Sequence, residues 1–132
     1  MKKLLFLVIC LLGMISSHAQ SSRENNSTFY LNVFINAHKT IYVEEEKTTF
    51  RNVESQVSEI LRKQPFRVGQ RIIFRIFGDK DLNVGYIADV NNEMRKAIEE
   101  NIRTERYLLE TKGLNIDGEN WFEKIDLKAL EQ

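Results

Sequence analysis

Residues 71–77 read RIIFRIF, and no other stretch constrains the fold as tightly. In an extended chain successive side chains point to opposite sides. Ile72, Phe74 and Ile76 then share one face, and Ile73 and Phe77 lie on the other. A strand that is apolar on both sides belongs in the middle of a sheet. The rest of the chain has to supply its neighbours and its cover.

Those neighbours are legible. Residues 29–35 are rich in aromatic and branched side chains, which suit a strand, with Leu31, Val33 and Ile35 predicted as its buried face. A turn at 36–39 leads into a second strand at 40–43 (TIYV), so the two are expected to pair as a hairpin. Glu44, Glu45, Glu46 and Lys47 read as a charged loop, and Thr48 and Thr49 as candidate helix caps. Phe50, Val53, Val57, Ile60 and Leu61 recur at spacings of three and four, which predicts an amphipathic helix over 50–63. Arg62 and Lys63 suit its C-terminal end, and Pro65, the one proline, stops it.

After the RIIFRIF strand comes a polar loop at 78–83, in which Asp79, Asp81 and Asn83 are candidate caps. A second amphipathic helix is predicted over 84–100 from Val84, Ile87, Val90, Met94, Ala97 and Ile98. Residues 105–111 (ERYLLET) read as a fourth strand, or as an extension of the helix, because Ile102 and Tyr107 continue its stripe. The tail, 112–132, carries Ile116, Trp121, Phe122, Ile125, Leu127 and Leu130, and predicts a short helix over 121–130 packed on the domain. The order β-β-α-β-α-β gives an α+β fold: a two-layer mixed sheet with both helices on one face, since each helix has one stripe to bury.

The chain opens with targeting features. Lys2 and Lys3 precede an apolar run at 4–15, and Ser17 and Ala19 stand at the −3 and −1 positions of a cut before Gln20. That is a secretory signal over 1–19; the run is shorter than the ~20 apolar residues of a spanning helix, so no spanning segment is expected after cleavage. Residues 20–28 read as a disordered polar leader. Cys10, the one cysteine, leaves with the signal, which removes disulfides and thiolate chemistry from the mature chain. The 113 residues that remain carry 17 basic and 19 acidic side chains. They make one domain with no basic face, so nucleic acid is not an expected partner.

The segment Gly78-Asp79-Lys80-Asp81-Leu82-Asn83-Val84-Gly85-Tyr86-Ile87 resembles a motif of the ExbD/TolR family of biopolymer transport proteins. The likeness rests on Asp79, Lys80, Asp81, Leu82, Gly85, Ile87 and Val90, and departs at Asn83, where proline is usual, and at Val84, where tyrosine is usual. It spans about 29–111, in the order strand-turn-strand, helix, strand, helix. The resemblance implies a periplasmic domain of a cell envelope that binds protein or peptidoglycan, forms a homodimer by strand pairing, and assists biopolymer transport. Family members use an aspartate inside a transmembrane helix as proton carrier. Residues 1–23 hold no acidic side chain, so that part of the role does not transfer.

Enzyme chemistry has little to stand on. Asp79, Asp81 and Asp89 are the one carboxylate group that a small secreted hydrolase or metal-dependent enzyme would use. They lack the longer acid ladder of a calcium loop, and capping accounts for the first two. His18 leaves with the signal, and His38 sits in a turn without a nearby acid or nucleophile in sequence. No catalytic residue, metal or cofactor is expected. The expected partner-binding residues are Asp79, Lys80, Asp81, Asn83 and Tyr86.

Overall fold

A computed structural model describes residues 28–65, 68–114, 116, 118 and 120–130. The expected signal and nearly all of the leader lie outside the described residues. Within them, five strands form one sheet in the order β3-β2-β1-β4-β5.

Strand β1 (Thr28–Ile35) and β4 (Arg71–Asp79) pair in parallel at the centre, from Thr28↔Arg71 to Ile35↔Gly78. β2 (Ile41–Val43) pairs antiparallel with β1, and β5 (Arg103–Leu109) pairs in parallel with β4. The β1–β2 turn is built by Asn36. Its buried side-chain oxygen accepts from the backbone N–H of His38 at 3.0 Å and of Thr40 at 2.8 Å, which lets the chain reverse.

The charged stretch after β2 is not all loop. Glu46–Thr48 forms a third antiparallel strand, β3, at the sheet edge. Its charges hid it, because an edge strand needs no apolar pattern and charge protects it from further pairing. Thr49 likewise makes no capping bond; a 3-10 turn at Phe50–Asn52 starts the helix instead.

Helices α1 (Val53–Lys63) and α2 (Val84–Lys96) both lie on one face of the sheet. Val53, Val57 and Leu61 from α1, and Ile87, Val90 and Met94 from α2, join Leu31, Val33, Ile35, Phe74 and Ile76 in one core. Gly78 permits the close approach: a Cβ there would stand 2.9 Å from Ile87 Cδ1. β5 is tied to α2 by Thr104 Oγ1 donating to Asn91 Oδ1 (2.8 Å) and by Arg95 Nη2 donating to the Ile102 carbonyl (2.8 Å). β5 runs from Arg103, two residues before the expected start, and it is a strand and not an extension of α2.

The second face is covered by the tail. Phe34, Tyr42, Phe77 and Leu109 form a second core with Ile116 and Trp121, and Phe122, Ile125, Leu127 and Leu130 pack against it. After the one-turn helix α3 (Thr111–Leu114), the tail holds a 3-10 turn at Phe122–Lys124 and a single turn, α4 (Leu127–Leu130). A continuous helix over 121–130 does not form. Ile125 is extended, and the Asp126 side chain accepts from Lys128 N at 3.1 Å, so a new turn starts there. Among the described residues no helix is long and apolar enough to cross a membrane.

Trp121 is fully buried. Its ring stacks on Phe34 at 5.2 Å and meets Phe77 and Phe122 at 5.3 Å each. Its indole N–H donates to the Glu44 carbonyl at 2.6 Å. Glu44 adopts a left-handed backbone (φ 51°), a strained conformation for a residue with a side chain. It is held by three more contacts: its N–H donates to the Asn32 carbonyl (2.8 Å), and its carboxylate accepts from Asn32 N (2.7 Å) and Asn32 Nδ2 (3.5 Å).

Replacing Trp121 with Ala is expected to cost about 3–5 kcal/mol, the usual range for a buried aromatic truncated in a core. Urea denaturation followed by far-UV circular dichroism measures it; a loss under about 1 kcal/mol is incompatible with the tail as core. A second expectation concerns pH. Burial pushes the Glu44 carboxyl above its ordinary value of 4.5, against the opposing bonds from Asn32. A raised acid contributes stability that is full below 4.5 and is lost as pH rises through the folded value. Wild type should therefore lose stability relative to Glu44→Gln between pH 4.5 and neutrality. A wild-type–variant difference that stays flat across that range counts against the assignment.

Candidate functional site

Two regions bear on function: the 79–86 segment singled out by the sequence, and a polar niche beside β5 that the sequence did not reveal.

Asp79, at the end of β4, is fully buried. Its carboxylate accepts from Asp81 N at 2.9 Å, Thr111 N at 3.3 Å, and the Thr111 hydroxyl through a short bond. Burial alone would raise its pKa, but these donors and the charge of Lys112 outweigh it and hold the group below the ordinary 3.8. Asp79 thus fastens the β4–α2 loop to the start of α3. Lys80 pairs with Glu110, and Lys112 stands 3.9 Å from Asp81; both pairs are exposed. Asn83 caps α2, its side chain accepting from Gly85 N at 2.7 Å. Tyr86 faces the β1–β2 turn. Its hydroxyl donates to the Lys39 carbonyl at 3.4 Å, the Lys39 ammonium lies 5.1 Å from its ring, and burial raises its phenol pKa.

The segment therefore separates into parts. Asp79, Lys80 and Asp81 meet Glu110, Thr111 and Lys112, while Asn83 and Tyr86 belong to α2 and its contact with the turn. Asp89 is exposed on α2. Among the described residues no group of three or more His, Cys, Asp and Glu side chains is placed to hold a metal ion. His38 is exposed, and its backbone joins the Asn36 turn.

The second region lies on the tail side of the sheet, at the end that the tail does not reach. Register places Arg75 beside Glu105 and Phe77 beside Tyr107. The Arg75 guanidinium lies over Tyr30, its Cζ 3.4 Å from the ring centroid, and its Nε meets Glu105 Oε2 at 3.4 Å. Glu105 also accepts from the Tyr107 hydroxyl at 3.1 Å and pairs with Arg103 at 3.2 Å. Tyr30, Arg75, Arg103, Thr104, Glu105, Arg106 and Tyr107 line an open cavity of about 510 Å³. The sequence held one signal of this site: Arg75, a charge inside an otherwise apolar central strand.

The edge of β5 completes the region. The Leu109 carbonyl accepts from Lys80 N at 2.8 Å, so Leu109 points its backbone groups inward, toward β4. Backbone polar groups alternate in direction along a strand. Thr104, Arg106 and Leu108 therefore turn their N–H and C=O groups outward, and no described strand meets them there. The Leu108 side chain is 57% exposed.

Asp79→Asn is expected to destabilise the protein by about 1.5–3 kcal/mol at neutral pH, the scale of hydrogen bonds to a charged acceptor. A depressed carboxyl contributes stability that is present above 3.8 and lost as pH falls through the folded value. The wild-type advantage over Asp79→Asn should thus shrink on acidification below 3.8 in urea melts. Equal stabilities at pH 7 would rule out the fastening role.

The sequence matches no protein-family model, and no curated protein is significantly similar to it. What the chain does has to be read from its own surface.

Proposed function

We propose that the chain is an exported, non-enzymatic domain of the cell envelope that binds an extended segment of a partner protein along β5. The single observation that carries this reading is the open edge of β5, with the backbone groups of Thr104, Arg106 and Leu108 turned outward. An added strand satisfies such groups through main-chain hydrogen bonds, and side-chain pockets beside it supply selectivity. The opposite edge is a weaker candidate, because β3 is three residues long and begins Glu46-Lys47.

Two features of the sequence point the same way. The signal-like segment 1–19 suits export to the periplasm, and, apart from the added edge strand β3, the element order follows the one implied by the ExbD/TolR resemblance. A foreign strand suits β5 better than a second copy. Two copies pairing antiparallel about the midpoint of β5 would set Arg106 opposite Arg106, and like charges directly opposite are destabilising. Without an acidic residue in 1–23, a share in biopolymer transport would consist of binding, with proton coupling supplied elsewhere.

Arg106→Pro tests the reading. It deletes one outward N–H and leaves the β4 ladder intact, a substitution that sheet edges accept. The variant is expected to fold and melt within a few degrees of wild type but to lose envelope proteins that wild type captures under mild cross-linking. Capture that survives the proline, or co-sedimentation with peptidoglycan that is indifferent to it, would place the contact away from β5.

A further inference from the structure

We infer that the cavity beside β5 is a carboxylate-binding site, and that its occupant is an acidic side chain carried on the segment that pairs with β5. The inference rests on the strand-addition reading and names the chemistry of its ligand.

Arg75 carries the case. The residue is 8% exposed, and its guanidinium sits against the Tyr30 ring. Its one hydrogen bond to protein among the described residues runs from Nε to Glu105. Among the described residues Nη1 and Nη2 meet no acceptor, and the residue lines an open cavity. Open to the cavity, these donors can be met by water, but a fixed anion accepts charge-assisted bonds that are shorter and stronger. A planar guanidinium presents a fork that fits the two oxygens of a carboxylate. Stacking on Tyr30 holds that fork in place beforehand, so little entropy is lost when a ligand arrives.

Charge points to an anion as well. Two arginines, Arg75 and Arg103, stand on the cavity face with one glutamate. Glu105 is already engaged by Arg75, Arg103 and the Tyr107 hydroxyl, so its charge is spent within the cluster. An incoming carboxylate meets a net positive wall.

Register explains why the carboxylate arrives on a strand. Arg103, Glu105 and Tyr107 alternate onto the face that bears Arg75. A strand added outside β5 lies about 4.8 Å away, and alternate side chains from it rise on that same face. A glutamate among them falls beside Arg103 and reaches over Glu105 toward Arg75. The acid would thus set the register of the added strand, while the backbone groups of Thr104, Arg106 and Leu108 supply affinity.

The test uses the protein lacking residues 1–19 and two synthetic octapeptides of alternating Val and Thr. They are identical except for one central Glu or Gln. Binding is followed by calorimetry and by the NMR signals of the arginine Nε–H groups at low salt, with sodium acetate titrated separately. The Glu peptide is expected to bind at least tenfold more tightly than the Gln peptide and to shift the Arg75 signal. Arg75→Gln should erase the preference, and Arg106→Pro should weaken both peptides. Equal, proline-sensitive binding of the two peptides keeps the strand addition and overturns the carboxylate site. Saturable acetate binding at Arg75 without binding of either peptide overturns the strand-borne source. No response to either probe overturns both. The Glu–Gln comparison is made on unaltered protein, so it decides the matter even where Arg75→Gln fails to fold.

Discussion

The seating of Trp121 between Phe34 and Phe77 is the contact on which the rest of this structure depends. The central strands β1 and β4 are apolar on both faces, and two helices cover one face only. Uncovered, Phe34 and Phe77 would present a large apolar surface to water, at roughly 25 cal/mol for every Å² left exposed. The tail removes that surface. The indole N–H then finds the Glu44 carbonyl, so a single side chain joins the tail, the sheet and the β2–β3 turn. The strained backbone at Glu44 persists because four hydrogen bonds meet there.

The same arrangement creates the candidate site. The tail covers Phe34, Phe77 and Leu109 but stops short of the other end of the sheet. The exposed end bears Tyr30, Arg75 and Glu105 on that face, and the covered end bears aromatic rings. Side-chain polarity along β1 and β4 thus follows the extent of the tail. Arg75 is tolerated in a central strand because its neighbours there are an aromatic ring and a carboxylate, and because the cavity is open to water.

Much of the fold was legible in the sequence. The helical spacing of Val53, Val57 and Leu61, and of Ile87, Val90 and Met94, announces stripes that one sheet face must bury. The RIIFRIF run announces a central strand. Other features escaped because they depend on neighbours distant in sequence. Glu46–Thr48 lacks any strand pattern and pairs only because β2 lies beside it. Asp79 reads as a helix cap and partner-binding residue in a polar loop, yet its side chain is sealed in by Thr111, 32 residues on. The Arg75 niche needs β1, β4 and β5 side by side, with Glu105 30 residues from Arg75. No local spacing encodes that meeting. The lone clue was a charge in an apolar run, and its partners emerge only from the sheet order.

The long sequence separation between Trp121 and its partners Phe34 and Phe77 also governs timing. Domains generally fold as units, and long-range contacts form late because loop closure must precede them. Here the second core cannot close until the final dozen or so described residues are present, since Trp121, Ile125, Leu127 and Leu130 all come from them. Until then the tail-side faces of Phe34 and Phe77 stay uncovered, while the helix-side core needs no tail residue. For a protein that we propose crosses a membrane before folding, that delay is useful. Under that proposal, closing of the second core would be the step left for the far side.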